Sequence, residues 1–368
     1  MKTVLHITAH MGGGLGKVMM ALIDEFIDTG SRYKHRIVSL EYINGRCLRW
    51  ADRRGIEYRQ EVSPVSPALH QMVCEADIVH LHFWHHLAVY HFMRSFSGQS
   101  ARLVIWSHVN GHHAPYKFSP AILCFPELFI LSTPYSLKAP DIRALPAQYR
   151  TDHIGGIFTT AGIKGFRDVR PVPHKGFNVG YVGWVDYAKM HPDFLTLCAM
   201  IDIPDVKFIV CGGKKHLEIR QKAIDWGMGH LFDFRGHVND VSEVLAEFDV
   251  FGYPLTPHHF GTGEQVLIEA MAAGVPQVVL DNGPEGYVVK NGETGIVAPS
   301  LPAYVDAIKA LYYGGGIRNR FSDRSREYAE LHYSIEPAAR EWIEVYDELW
   351  TRGKKPCVFE GEGIWSPR

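Results

Sequence analysis

Short apolar runs separated by amphipathic stretches dominate the first half of the chain. They lie at Thr3–Thr8, Arg36–Ser39, Ile78–His82, Leu103–Ser107 and Leu128–Ser132. None alternates cleanly between polar and apolar positions, the pattern of parallel strands buried on both faces. After the first run comes the loop His10-Met-Gly-Gly-Gly-Leu-Gly16, then a helical pattern from about Lys17 to Thr29, so the chain opens as strand, glycine loop and helix. Residues 166–177, FRDVRPVPHKGF, break the pattern with two prolines and several charges and predict a linker. A second series then starts, with strands predicted at Asn178–Tyr181, Lys207–Cys211, Val250–Tyr253, Gln277–Leu280 and Ile296–Ala298. An array that restarts predicts two α/β domains, 1–165 and 178–335. Ligands of such sheets bind at the carboxyl ends of the strands, so the expected site is a cleft between two facing sheets. A last helix, 336–352, is expected to cross back to the first domain. The tail 353–368 is expected to be partly disordered, with Trp365 as its candidate anchor.

Composition narrows the class. The chain has 368 residues, 46% apolar and 21% charged, the profile of a soluble globular protein. Its net charge of −2 carries no nucleic-acid signature. There are 17 basic against 12 acidic residues up to position 165, and 21 against 28 beyond. The basic excess of the first part allows at most peripheral membrane contact. Six scattered cysteines with no CxxC pair argue against a zinc knuckle or a disulfide framework. With no leader pattern and no apolar run near the roughly 18–20 residues that span a bilayer, the expected compartment is the cytoplasm or the inner membrane face.

The strongest signal is HHFGTGEQVLIEAMAAGVPQVVLD, residues 258–281. Thr262 and Gln265 have the spacing of a capping box, and Gly274 with Pro276 that of a helix stop, predicting a helix over Gly263–Ala273. Glycines before its N-terminus leave backbone N–H donors approachable, which makes an anion site suited to a diphosphate. Glu269 sits among Leu267, Ile268, Ala270 and Met271. It is either a solvated helix-surface acid or a carboxylate that needs donors, which vicinal ribose hydroxyls would provide. Glu264 lies about 140° away around such a helix and is either a first-turn acid favoured by the dipole or a ligand contact.

The segment Glu269-Ala-Met-Ala-Ala-Gly-Val-Pro276 resembles the donor-site helix of family-4 glycosyltransferases of the GT-B fold, two Rossmann-like domains facing a cleft. That family has a further acid eight positions before Glu269, where this chain has Gly261. The resemblance therefore implies that Glu264, or the backbone of Gly261, Thr262, Gly263 and Gln265, takes over its contact with the donor sugar. Gly12-Gly-Gly-Leu-Gly16 resembles the family's glycine loop, placing Gly13, Gly14 and Gly16 near the donor diphosphate; a tight βα turn is the plain alternative. The run Asn178–Lys189 resembles the segment opening the second domain. It implies a close approach at Gly183 and a phosphate-binding Lys189, with Trp184 where the family has an arginine. Lys214 and Lys215, after Gly212-Gly213, are candidate phosphate supports. Phe234-Arg-Gly236-His237 resembles the loop whose backbone reads the base, and Gly292–Gly295 a turn upstream of which, at Tyr287, the family often has an acid. Val104–His108 resembles a strand ending in a histidine near the transferred sugar, so His108 is implied as a sugar or acceptor contact. His80, His82, His85 and His86 suggest a metal, but their spacing and the lack of an acid cluster favour a structural role. His112-His113 and His258-His259 remain unassigned.

The resemblance implies a retaining, metal-independent hexosyl transfer from a nucleotide diphosphate sugar to a glycan, lipid-linked or small-molecule acceptor, with Lys189, Glu264, Glu269 and His108 carrying the chemistry and no cofactor. A sugar-nucleotide epimerase and a catalytically dead nucleotide-sugar binder stand as alternatives. An NAD-dependent enzyme lacks its acid about 20 residues past the glycine loop.

Overall fold

The computed structural model describes residues 1–213 and 215–360, so Lys214 and Trp365 lie outside the described residues. The chain divides into two compact units. The first comprises Met1–Ala161, Phe260–Thr262 and Ile335–Arg368, and the second Gly162–His259 and Gly263–Ser334.

In the first unit the strands are β1 (Lys2–Thr8), β2 (Tyr33–Ser39), β3 (Glu57–Arg59), β4 (Ile78–Phe83), β5 (Ser100–Ala101), β6 (Leu103–Ser107), β7 (Leu128–Leu131) and β8 (Ile154–Gly156). Seven of them form one sheet in the order β3-β2-β1-β4-β6-β7-β8, parallel throughout. Every residue of β4, β6 and β7 is buried, which explains the unbroken apolar runs. On one face Leu5, Ile7, Leu81, Phe83 and Ile105 join the larger core. On the other, Val4, Ile78, Val104 and Trp106 pack with Phe26 of helix Gly13–Asp28 and with Trp342 and Tyr346 of helix Ile335–Thr351.

The second unit holds β9 (Phe177–Val182), β10 (Val206–Cys211), β11 (Phe232–Gly236), β12 (Val250–Tyr253), β13 (Gln277–Leu280) and β14 (Gly295–Ala298), ordered β11-β10-β9-β12-β13-β14 and again all parallel. A final β15 (Lys355–Pro356) pairs antiparallel with β5 and ties the chain end to the first unit. No described helix is long and apolar enough to cross a membrane.

The α/β class and most strands match the sequence pattern; three helix and loop expectations do not. The first helix begins at Gly13 rather than Lys17. Gly12 is extended and Gly13 enters at φ +55, so the glycines form the first turn and Lys17 lies one turn inside. Phe234–Gly236 is not a loop but the end of strand β11. The helix expected over Gly263–Ala273 spans Gln265–Ala272, and Thr262 does not cap it. Glu264 precedes that helix at φ +39, so helical geometry cannot begin before Gln265, and Thr262 clusters with the first unit. The stop is where the pattern puts it, with Gly274 at φ +70 in the left-handed conformation that ends helices.

Candidate active site

The carboxyl ends of the second unit's strands bring several of the singled-out residues together. Gly183 follows β9, Gly212 follows β10, and Gly236 ends β11. Gly183 N–H donates to the Cys211 carbonyl at 3.0 Å, and Gly212 N–H donates to the Gly236 carbonyl at 2.5 Å. Gly212 has φ +105, and a Cβ there would stand 2.2 Å from the Gly183 carbonyl oxygen. We expect Gly212→Ala to lose at least about 1–3 kcal/mol, measured by urea unfolding, and to weaken whatever binds over these strand ends. His237, just past β11, is exposed.

From Gly183 the chain reaches Lys189, whose carbonyl accepts from Thr256 N–H at 2.8 Å; His191 N–H donates to the Pro254 carbonyl at 2.9 Å. This stitching to the segment after β12 fixes the lysine. Its Nζ lies 2.8 Å from Glu264 Oε2, the two side chains being 16% and 5% exposed. Tyr253, the last residue of β12, donates its hydroxyl to the same Oε2 at 3.0 Å. The left-handed backbone of Glu264 places this carboxylate just ahead of helix Gln265–Ala272. Burial alone would raise its pKa, but Lys189, His259 and the Tyr253 hydroxyl outweigh burial and hold it below the ordinary carboxylate value. Burial and that carboxylate push the Tyr253 phenol well up.

Beside this pair is one the sequence did not single out. His259 Nε2 lies 2.7 Å from Glu285 Oε1, with both side chains at most 1% exposed. Burial opposes the imidazolium, yet Glu285 and Glu264 prevail and raise His259 above its ordinary value. The only sequence signal was an acid shortly after the end of β13, two positions before Tyr287. Buried charges need partners, and here two acids and two bases are grouped within one unit. Glu269, in the middle of helix Gln265–Ala272, is 2% exposed, so the solvated-surface alternative falls. Gln265 Nε2 donates to the Gly162 carbonyl at 3.3 Å, and Gly263 is buried. Lys215 pairs with Asp186 at 3.2 Å, and Trp184 is 51% exposed.

The remaining candidates belong to the first unit. Gly13 and Gly14 are exposed at the start of the first helix, whereas Gly16 is buried against Cys47. Gly261 and Thr262 cluster there too, the Gly261 carbonyl accepting from Asn110 Nδ2 at 3.0 Å. His108 follows β6 and is half-buried; burial lowers its pKa to about 3. His112 stacks on Tyr135, with ring centres 3.9 Å apart. Nitrogens of His6, His80 and His82 lie within 4.8 Å of one another, but the His80 and His82 rings are stacked at 4.4 Å and 13°. In-plane lone pairs of stacked rings do not converge on one ion, so hydrogen bonding accounts for this cluster better than metal.

Residues 163–328 match the family described as glycosyl transferases group 1. Phosphatidyl-myo-inositol mannosyltransferase of Mycobacterium leprae is 31% identical over 159 residues, covering 42% of this chain and 41% of that protein. The lipopolysaccharide core biosynthesis mannosyltransferase LpsB of Rhizobium meliloti is 30% identical over 189 residues, covering 48% of this chain and 53% of that protein. The matches thus span about half or less of these relatives' length. Among solved structures, Anabaena HepE in complex with UDP-glucose aligns with a TM-score of 0.75 at 15% identity, over 95% of this chain and 100% of that one. A glycosyltransferase from Rickettsia africae aligns at 0.73 and 13% identity, over 96% and 99%. The fold is GT-B. The likeness to the glycosyl transferases group 1 family lies in segment 163–328, and the likeness along the rest of the chain is one of fold.

Proposed function

We propose that this protein is a glycosyltransferase that moves a hexosyl group from a nucleotide diphosphate sugar to a glycan, lipid-linked or small-molecule acceptor with retention of anomeric configuration. The observation that carries this is the pairing of half-buried Lys189 with buried Glu264 at the N-terminal end of a helix whose interior buries Glu269. Amide donors at that helix end and the Lys189 ammonium stabilise the charge growing on the departing diphosphate. Glu264 fixes Lys189, and Tyr253 fixes Glu264. Glu269 accepts hydrogen bonds from the ribose hydroxyls of the donor, the role its likeness to the family's donor-site helix implies. The glycines at 183, 212 and 236 let backbone approach the nucleotide, and His108 contacts sugar or acceptor. Retention follows from the resemblance, through front-face attack in which the leaving phosphate takes the acceptor's proton. HepE, solved with UDP and with UDP-glucose, makes uridine the first base to try.

A thermal-shift panel of uridine, guanosine and adenosine diphosphates and their sugars tests the donor. One nucleotide series is expected to raise the melting temperature, and its sugar form to release nucleoside diphosphate on turnover. Glu269→Gln, which keeps shape and removes charge, is expected to lower kcat/KM at least about 100-fold, the loss of roughly 2.7 kcal/mol of transition-state binding. Binding without turnover in the presence of acceptors would favour the catalytically dead binder. Interconversion of the sugar without transfer would favour the epimerase.

A further inference from the structure

Four imidazoles form a continuous hydrogen-bonded chain through the first unit. His35 Nδ1 meets His6 Nε2 at 2.9 Å, His6 Nδ1 meets His82 Nε2 at 3.1 Å, and His82 Nδ1 meets His108 Nε2 at 3.1 Å. The contacts run head to tail, always Nδ1 to Nε2, across strands β2, β1 and β4 to the residue after β6. His6, His35 and His82 are at most 3% exposed, whereas His108 is half-buried. The nearby titratable groups, His80 and Tyr346, bond to each other at 2.8 Å.

A head-to-tail chain of neutral imidazoles has two self-consistent states: every ring protonated on Nδ1, or every ring protonated on Nε2. The closed end selects between them. His35 Nε2 is buried without a hydrogen-bond partner, and the ring lies flat on Phe26, with centres 4.8 Å apart and planes 3° from parallel. Orphaned buried N–H groups are rarer than under-used acceptors, so a bare lone pair belongs there. His35 must then carry its proton on Nδ1, and each following ring is set in the same sense.

We propose that His35, His6 and His82 are positioning residues that hold His108 as its Nδ1–H tautomer, so that its outward nitrogen is a hydrogen-bond donor for a ligand oxygen and not a base. The sugar hydroxyls or phosphate oxygens of the proposed substrates supply such an acceptor, and this last step rests on the glycosyltransferase reading. The tautomer does not.

Ring-¹⁵N-histidine labelling of the full chain, read by two-bond proton–nitrogen correlation at pH 7, reports each tautomer directly. The expected spectrum shows all four rings neutral and protonated on Nδ1, against the Nε2–H form that free histidine prefers in water. An Nε2–H pattern, or a doubly protonated ring, at any of the four overturns the proposal whatever the enzyme does. His35→Phe removes the closed end and should let Nε2–H appear at His108; an unchanged His108 in the folded variant counts against the relay. If that variant does not fold, the wild-type spectrum still decides. In the activity arm, Asn places an N–H where His Nδ1 stands and Gln where Nε2 stands. His108→Asn is therefore expected to keep at least 10-fold more kcat/KM than His108→Gln. The reverse order overturns the donor role even where the spectra hold.

Discussion

Lowering the pH from 7 to 5 is expected to destabilise the first unit by several kcal/mol, because its core holds imidazoles that take up a proton more readily once it unfolds. Burial lowers His35 and His108 to about 3 and drives His6, His80 and His82 well below their ordinary value, with the neighbouring imidazoles adding to the shift for the last three. The unfolded chain binds a proton at each of these groups below about 6.5, whereas the folded form stays neutral down to about 3 at His35. Between those limits the unfolded state holds more protons, so stability falls with falling pH, by about 1.4 kcal/mol per unit for each such histidine. His35 and His108 alone amount to roughly 4 kcal/mol over the 1.5 units from about pH 6.5 to 5. His6, His80 and His82 act in the same direction, against about 5–15 kcal/mol for the whole stability of an ordinary domain. Glu264, held below its ordinary value, adds its loss only under about pH 4.5. Urea titrations at pH 7, 6 and 5, followed by the fluorescence of Trp106 and Trp342 in that core, measure the slope. Unchanged midpoints from pH 7 to 5 would show that these rings protonate in place.

The second large effect is at Lys189. Lys189→Ala is expected to abolish sugar transfer and also to cost about 3–5 kcal/mol of stability, because Glu264 is then left charged, buried and without its cation. Activity and folding must therefore be separated. In Lys189→Met combined with Glu264→Gln both charges are gone, and most of the stability should return. Transfer should stay at least about 100-fold below wild type, since nothing then neutralises the leaving diphosphate. Chemical denaturation and nucleoside diphosphate release, measured on the same preparations, distinguish these terms. A double variant both stable and active would remove Lys189 from the mechanism. One that is unstable would mean that the pair is not the cause of the cost.

Much of the fold was legible because a parallel strand buried on both faces must be apolar along its whole length. Ile78–His82, Val250–Tyr253 and Gln277–Leu280 show it plainly. Glu57–Arg59, Ile154–Gly156 and Phe232–Gly236 were missed, being short edge strands, the first two without a buried residue and the third only half-buried along its middle. Edge strands have less apolar demand and read as loop. The start of helix Gln265–Ala272 was misplaced because the capping-box spacing of Thr262 and Gln265 is a local signal. A left-handed Glu264 and the allegiance of Phe260–Thr262 to the other unit are not local.

The order of strands, helices and glycine turns was written in the sequence, since periodicity and backbone preference act over a few residues. So was the donor-helix pattern around Glu269, by its likeness to a known family. Only the tertiary structure decided which charges meet. Lys189 and Glu264 are 75 positions apart, His259 and Glu285 lie on either side of a helix and a strand, and the four histidines of the relay come from β2, β1, β4 and the end of β6. Charge pairing and imidazole tautomers depend on distances of a few ångströms and on the exclusion of water, which arise only when the sheets have closed over their cores.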